Sequence, residues 1–199
     1  KTLSEGQKGL IAETPKASDA AFKKVVNVIV GNNRLASLAT REHLKTKGLN
    51  TLLLTSMMEG EARHVGVMLA SMARETVLSG NPLSKPAGIV AGGETTVTVI
   101  GKGLGGRNQE MALAASMKLS GVEGVVVASV STDGVDGPTD SAGAIVDGRT
   151  VARASKMNLI GEKYLAENDS YHYFAELDDL VFTGPTGTNV NDVSLIVVL

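Results

Sequence analysis

A run of apolar and small residues at 125–130 constrains the fold more than any other feature of this sequence. The run reads V-V-V-A-S-V, which is typical of a strand buried within the sheet of an α/β protein. The stretch that follows, Ser131 to Ala144, contains three aspartates punctuated by glycine and proline, which predicts a loop. Ligands of open α/β sheets bind beyond the carboxyl ends of strands, so this loop is the first candidate site.

The three aspartates of this loop are Asp133, Asp136 and Asp140. Their carboxylates would repel one another unless a cation, a proton or a basic side chain lay among them. They therefore favour either a site for Mg²⁺ and phosphate or an acid/base site. A solvated turn rich in aspartate and glycine is the alternative that this stretch alone leaves open.

Composition limits the classes of function. The chain has 199 residues, enough for one large domain or two small ones, and a net charge of -2 with both signs mixed, which excludes an electrostatic footprint for nucleic acid. It has no cysteine, which excludes disulfides, thiolate catalysis and cysteine-based zinc sites. No stretch approaches the roughly 18 consecutive apolar residues of a membrane span. We therefore expect no membrane partner and a reducing, cytoplasmic location.

The first 86 residues alternate between strand and helix patterns. Strands are expected at 22–30 and 51–55, and helices at 34–47 and 60–78, which predicts a parallel, Rossmann-like βαβ arrangement. The connector at 81–86 contains two prolines, so we place a domain boundary at residue 86.

The second part, residues 87–199, is predicted to be another α/β domain. Residues 92–100 predict a strand, in which Thr96, Thr98 and Ile100 alternate with Val97 and Val99, as is typical of a half-exposed strand in a mixed sheet. The remaining elements are strands at 125–131, 180–183 and 193–199, and helices at 107–119, 150–157 and 161–177, the last of them broken near residue 168. The fold class is therefore α/β, with a partial βαβ segment followed by a domain with a mixed sheet.

The loop Gly101 to Gly106 matches the G-x-G-x-x-G pattern of dinucleotide-binding proteins. The alternating strand before it, and the lack of an acidic residue about 20 positions later, disfavour a dinucleotide. The glycines and the helix start instead favour an anion, to which Arg107 would add a bidentate donor. Asn108 and Glu110, in the first helical turn, would face the same cavity. A plain glycine turn is the alternative.

A second loop, residues 183–192, is dense in glycine, threonine and asparagine. Such a loop can offer backbone amides and hydroxyls to a phosphate, although it lacks the lysine of a Walker A loop. Asp192, at its end, is a candidate metal ligand, a base or an anchor for the loop. Glu94 would either pair with Arg107 or point at the ligand. A long hairpin loop is the alternative.

Four strings together resemble the glycerate 2-kinase family with its MOFRL domain, whose members have also been called hydroxypyruvate reductases. The strings are G-G-E-T-T-V at 92–97, G-G-R-N-Q-E at 105–110, T-D-G-V-D-G-P-T-D-S-A-G-A at 132–144 and T-G-P-T-G-T-N-V-N-D at 183–192. Two more, V-G-N-N at 30–33 and E-G-E-A at 59–62, resemble the end of the family's first α/β domain. The family's enzymes are about twice as long, so we expect a C-terminal portion, which leaves open whether it is active alone.

The resemblance implies ATP-dependent phosphorylation of D-glycerate to 2-phosphoglycerate, with Mg²⁺ as cofactor. Asp133 and Asp136 would bind Mg²⁺, together with Asp140, or accept the proton of the substrate hydroxyl. Arg107 would hold the glycerate carboxylate or the transferring phosphoryl group. The residues expected to contact or orient substrate and nucleotide are Glu94, Asn108, Glu110, Gly134, Thr186, Gly187, Thr188, Asn189 and Asp192.

Two other functions stay open. The glycine loop and the family's older label allow an NAD(P)-dependent hydroxypyruvate reductase. The missing half of the family's length allows a non-catalytic binding or regulatory module. The sequence also leaves open whether the chain forms a homodimer.

Overall fold

The computed structural model describes residues 2–12 and 14–199, which divide into two compact units, Lys1–Val30 and Gly31–Leu199. The first unit contains helix α1, Thr2–Gln7, and one 3₁₀ turn, Ala20–Phe22. The strand predicted at 22–30 does not form, and Val26 and Val30 are largely exposed. A β-branched run becomes a strand only when another strand pairs with it, and the described residues supply no such partner for this run.

The second unit contains the rest of the elements. Its helices are α2 (Asn33–Thr46), α3 (Ala62–Ser79), α4 (Arg107–Leu119), α5 (Thr150–Lys156), α6 (Gly161–Ala166) and α7 (Ser170–Leu177). Its strands are β1 (Asn50–Met58), β2 (Ala87–Gly93), β3 (Val125–Ser131), β4 (Gly143–Asp147), β5 (Leu180–Val181) and β6 (Asp192–Val198). Except for the strands expected at 22–30 and 92–100, the predicted elements agree with these bounds to within a few residues.

The strands form one mixed sheet in the order β1-β2-β6-β3-β4-β5. Helix α3 connects β1 to β2, and these two strands pair in parallel. All other neighbouring strands pair antiparallel. The mixed α/β class predicted from the sequence is therefore confirmed. The connector at 81–86 joins α3 to β2, and β1 and β2 on either side of residue 86 belong to one sheet. A division into two domains at residue 86 stays a prediction.

Helices cover both faces of the sheet. Gly88 of β2 lies against Leu44 of α2, whereas the next residue, Ile89, belongs to the core formed with α3 and α4. Successive strand residues point to opposite faces, so α2 and the pair α3–α4 lie on opposite sides. The core on the α3–α4 side includes Leu69 and Met111, both fully buried.

The strand predicted at 92–100 is wrong in its bounds. The pairing ends at Gly93, and the threonine-rich segment that follows leaves the sheet. Side chains of other elements satisfy its backbone instead: Glu61 accepts from the Thr98 N–H, and Asn168 accepts from the Ile100 N–H. Thr96 makes an isolated parallel bridge with Glu61, but Val99 and Ile100 are both largely exposed, so the alternation in the sequence does not correspond to one buried and one exposed side.

No helix in the described ranges is both long enough and apolar enough to cross a membrane.

Candidate functional site

Four strand ends meet at one edge of the sheet. Met58 at the end of β1 pairs with Gly93 at the end of β2, and Gly93 pairs with Asp192 at the start of β6. Asp192 in turn pairs with Ser131 at the end of β3. The segments beyond these ends are where ligands of α/β sheets bind. We call this region the strand-end site: Glu59, Glu94, Arg107, residues 132–140 and residues 183–192.

Arg107 is the best-anchored basic group of the strand-end site. Its Nε and Nη2 atoms donate to the two carboxylate oxygens of Asp192, at 2.5 and 2.9 Å, and Nη2 lies 3.5 Å from Glu94. The hydrogen bond that Arg107 donates to the fully buried carboxylate of Asp192 raises the pKa of Arg107. Nη1 has no hydrogen-bond partner among the described residues. The guanidinium is thus fixed on one side and free to bind an anion on the other.

Asp133 presents an ionised carboxylate at the end of β3. Its Oδ1 accepts from the Val135 N–H and the Ser131 hydroxyl, at 3.0 and 2.7 Å, and its Oδ2 accepts from the Asn189 amide at 3.1 Å. The backbone bond from Val135, followed by the bond from Ser131, lowers the pKa of Asp133. This half-buried group is therefore charged at neutral pH and can accept a proton or contact a cation.

The lowered pKa of Asp133 predicts a pH-dependent contribution to stability. The contribution is present above the unfolded-state pKa of about 3.9 and is lost as pH falls through the lower folded-state pKa. Asp133→Asn should therefore destabilise the protein more at neutral pH than at about pH 3. Thermal unfolding at both pH values tests this. In the Ser131→Ala background, the destabilisation by Asp133→Asn should differ less between the two pH values. An equal loss at both pH values would contradict the assignment.

Asp136 is fully buried and caps helix α4. Its Oδ1 accepts from the backbone N–H and the side-chain amide of Asn108, at 3.1 and 3.0 Å, and its Oδ2 accepts from the Gln109 N–H at 2.9 Å. Burial raises the pKa of Asp136, against the N–H groups that favour its ionised form. Both oxygens are occupied inside the protein, which does not support the expected role as metal ligand or base.

The three aspartates of the loop do not converge. Asp140 is exposed and accepts from the Tyr171 hydroxyl at 2.8 Å, whereas Asp136 is buried. Gly134 and Gly137, both with positive φ, turn the chain between the aspartates. Nowhere in residues 2–12 and 14–199 do three or more histidine or acidic side chains form a group that could hold a metal ion. A metal site built from all three aspartates is thus not preformed.

The glycine loop at 101–106 does not offer the helix amides that a dinucleotide fingerprint requires. Two N–H groups of the first turn of α4, those of Asn108 and Gln109, already bind the Asp136 carboxylate. A Cβ on Gly106 would lie 2.3 Å from Cγ of Asp136, so glycine is needed for this close approach. At these two amides, the anion expected at the helix start is the carboxylate of Asp136.

Asn108 and Glu110 connect structural elements. The side-chain oxygen Oδ1 of Asn108 accepts from the Ser129 hydroxyl at 2.6 Å, which ties α4 to β3. Glu110 is buried and accepts from Arg63 at 2.8 Å and from the Asn168 amide at 2.9 Å. That Asn108 and Glu110 orient substrate and nucleotide stays a prediction. They would do so through the contacts just described, which hold neighbouring elements together.

The loop at 183–192 is tied to the end of β3. The Thr186 N–H and hydroxyl donate to the carbonyls of Asp133 and Thr132, at 3.1 and 2.6 Å. A Cβ on Gly134 would lie 2.0 Å from the Gly184 carbonyl oxygen, so the two loops touch only because residue 134 is glycine. Thr188 and Gly187, the latter with a φ of 74°, form the exposed tip. The loop at 183–192 and the aspartate-containing segment 132–140 thus form one surface.

Sequence reasoning missed two contributors to this edge. The Asn33 amide, at the start of α2, donates to the carbonyls of Val190 and Asp192, at 2.9 and 2.8 Å, and so fixes the end of the loop. The V-G-N-N string was the available signal for it. Glu59, which by its position suits the helix dipole, lines a cavity of about 650 Å³ together with Glu94 and Asn191.

Comparison with known proteins places the chain among its relatives. Residues 87–192 match the model of the MOFRL family. The chain belongs to the MOFRL family. D-glycerate 2-kinase from Thermotoga maritima is 42% identical over 192 residues, which cover 96% of this chain and 45% of that protein.

Two further matches agree with this membership. A crystal structure of glycerate kinase from Thermotoga maritima matches with a TM-score of 0.85 and 40% identity, covering 100% of this chain and 49% of that one. A relative from Agrobacterium vitis, provisionally named a hydroxypyruvate reductase, is 40% identical over 153 residues, 76% of this chain and 40% of that protein. The chain therefore spans about half the length of the relatives that it matches.

Proposed function

We propose that this MOFRL chain contributes the strand-end site of an ATP-dependent D-glycerate 2-kinase, which forms 2-phosphoglycerate. One observation carries the proposal: Arg107, anchored on Asp192, lies at the sheet edge where the Asp133 segment and the 183–192 loop also meet. Phosphoryl transfer needs positioned donors and charges rather than covalent chemistry. The relatives that carry a kinase name support the same reaction.

Each group has a role that fits its contacts. The free Nη1 of Arg107 binds the glycerate carboxylate or the transferring phosphoryl group. Asp133, ionised and reachable, either accepts the proton of the substrate hydroxyl or binds the Mg²⁺ that comes with the nucleotide. The tip of the loop contacts phosphate through amides and hydroxyls. The loop residues concerned are Thr186, Gly187, Thr188 and Asn189.

Acidic groups outnumber basic ones at the strand-end site. Arg107 pairs with both Asp192 and Glu94, and no residue in the described part of the chain forms a salt bridge with Glu59 or Asp133. Nucleotide phosphates would be repelled unless a cation came with them. Mg²⁺ is usually held by one or two carboxylates plus substrate phosphates, and Asp133 fits one such carboxylate. Bound there, Mg²⁺ would neutralise charge on the phosphates.

A dinucleotide-dependent reductase receives no support from the glycine loop, because Asp136 occupies two of the helix amides that a pyrophosphate would need. The reductase names among relatives therefore require their own test. A coupled assay for ADP release with D-glycerate, ATP and Mg²⁺ should be run beside NADH and hydroxypyruvate.

The assay should use this chain and any longer natural form of it. We expect ADP release that depends on D-glycerate and no oxidation of NADH. Activity confined to a longer form would mean that these loops supply part of a shared cleft. NADH oxidation with hydroxypyruvate, or no ADP release from either form, would contradict the proposal.

A further inference from the structure

Three consecutive carbonyls are held by hydrogen bonds where the loop before β6 enters that strand. The carbonyls of Val190 and Asp192 both accept from Nδ2 of Asn33, at 2.9 and 2.8 Å. The carbonyl of Asn191, which lies between them, accepts from the backbone N–H and the hydroxyl of Thr132, at 3.0 and 2.7 Å. The start of α2 and the end of β3 therefore hold this turn together.

The middle residue of the turn has an uncommon backbone conformation. Asn191 has a φ of 66°, in the left-handed region that residues other than glycine adopt infrequently. Such a conformation persists where the surrounding structure over-determines it. Loss of the two bonds from Asn33 would remove part of this restraint and let Asn191 relax toward a negative φ. The Asn33 amide therefore helps to set the direction in which the chain enters Asp192.

The direction of Asp192 matters because its carboxylate holds Arg107. The two carboxylate oxygens accept from Nε and Nη2 of Arg107, and Asp192 is fully buried. A two-point pair between a carboxylate and a guanidinium has a defined geometry, so a rotation of Asp192 moves Arg107 with it. The path from Asn33 to Arg107 thus runs through a single residue, whose carbonyl accepts from the first and whose carboxylate accepts from the second.

Asn33 is itself fixed on all of its polar atoms. Its Oδ1 accepts from the hydroxyl of the fully buried Ser37 at 3.2 Å, and its Nδ2 donates to two carbonyls, one for each hydrogen. A Cβ on Gly92 would lie 2.0 Å from Oδ1 of Asn33, so the amide fits against the end of β2 because residue 92 is glycine. The side chain of Asn33 therefore has no donor left for a substrate.

We propose that Asn33 is a positioning residue for Arg107, and the catalytic part of this inference rests on the proposed kinase function. Asn33 begins α2 and Arg107 begins α4, and these helices lie on opposite faces of the sheet. The turn at 190–192 connects the two helix starts across the sheet edge. Helix α2 thereby orients the cation that binds the substrate, although Asn33 itself does not touch the substrate.

The Nε–H of Arg107 reports this orientation, because it donates to Oδ2 of Asp192 at 2.5 Å. In the ¹⁵N-labelled 199-residue chain, its signal is the arginine Nε–H signal that is lost in Arg107→Lys. Exchange of this hydrogen with solvent requires the bond to open. We expect Asn33→Ala to speed the exchange about tenfold, the equivalent of one hydrogen bond of ordinary strength. Gly92→Ala, which displaces the Asn33 amide without removing it, should speed the exchange as well.

Asn32→Ala is the matched control. Asn32 caps the same helix by accepting from the Leu35 N–H at 2.9 Å, and none of its described bonds reaches the turn at 190–192. This substitution should destabilise α2 and leave the exchange at Arg107 unchanged. Thermal unfolding verifies that each variant is folded, and Gly92→Ala decides the test if Asn33→Ala does not fold.

Kinetics tests the consequence for catalysis in whichever form of the protein releases ADP. Asn33→Ala should lower kcat about 10²-fold, the cost of misplacing a catalytic group by about 1 Å, whereas Asn32→Ala should not lower it. In the Arg107→Lys background, Asn33→Ala should lower kcat by no more than about threefold further, because a residue that acts through Arg107 has little left to orient.

The results separate the proposed positioning from the proposed kinase function. Unchanged exchange at Arg107 in the folded Asn33 and Gly92 variants, or equally fast exchange in Asn32→Ala, would overturn the positioning role. Faster exchange with unchanged kcat, or losses of kcat that multiply in the double variant, would overturn its catalytic consequence. If no form releases ADP, the kinase function fails, and the exchange measurement still decides whether Asn33 orients Arg107.

Discussion

Asp136→Ala is expected to lower the free energy of unfolding by about 3 kcal/mol or more. The substitution removes the acceptor of three N–H groups, two on the backbone of α4 and one on the Asn108 side chain. Each buried donor left without a partner costs about 1–3 kcal/mol. Urea denaturation followed by circular dichroism measures the loss.

Asp140→Ala is the control for this experiment. Asp140 belongs to the same loop, but it is exposed and accepts a single bond from Tyr171. Its replacement should change stability by no more than about 0.5 kcal/mol. If Asp136→Ala and Asp140→Ala unfolded at the same urea concentration, the capping role of Asp136 would be refuted, and a role for it as a catalytic carboxylate would regain support.

Arg107→Lys is expected to reduce ATP-dependent phosphorylation of D-glycerate by about 10³-fold, the smaller end of what a transition-state arginine contributes. Lysine keeps the charge, but it cannot bond to both oxygens of Asp192 and still direct a second nitrogen to substrate. The loss should appear mainly in kcat, because charge builds up on the transferring group in the transition state. Steady-state kinetics measures it in whichever form of the protein releases ADP.

Arg149→Lys is the matched control, since this arginine is 85% exposed and pairs with Asp147, which lies at the end of β4 and outside the strand-end site. It should leave kcat and KM unchanged. Because Arg107→Lys keeps a cation beside the buried Asp192, the fold should survive, and thermal unfolding can verify this. Near-normal kcat/KM for Arg107→Lys would remove Arg107 from the proposed mechanism.

Local sequence patterns predicted the elements that carry their own signals. The apolar run at 125–131 forms β3, and the helix predicted at 107–119 forms α4 with the same bounds. Residues 108–116 of this helix are all buried, so its small and apolar residues suit a helix that is enclosed on every side. The predicted α/β class follows from the same alternation of elements.

Patterns failed where a partner from elsewhere in the chain decides the outcome. The run at 25–30 has strong strand propensity, but no described residue pairs with it. The threonine-rich segment after Gly93 has strand-like alternation, yet Glu61 and Asn168 satisfy its backbone. Pairing is a tertiary event, so propensity alone cannot settle it.

The sequence by itself determined three of the segments that meet at the strand-end site: an aspartate loop after β3, an arginine at the start of α4, and a loop rich in glycine and threonine before β6. Only the tertiary structure distinguished Asp133 from Asp136, which are identical residues three positions apart in one loop. The first lies half-buried beside Asn189, whereas the second is enclosed by the N-terminus of α4. The chemistry of a carboxylate depends on its solvent exposure and its donors, and long-range packing sets both.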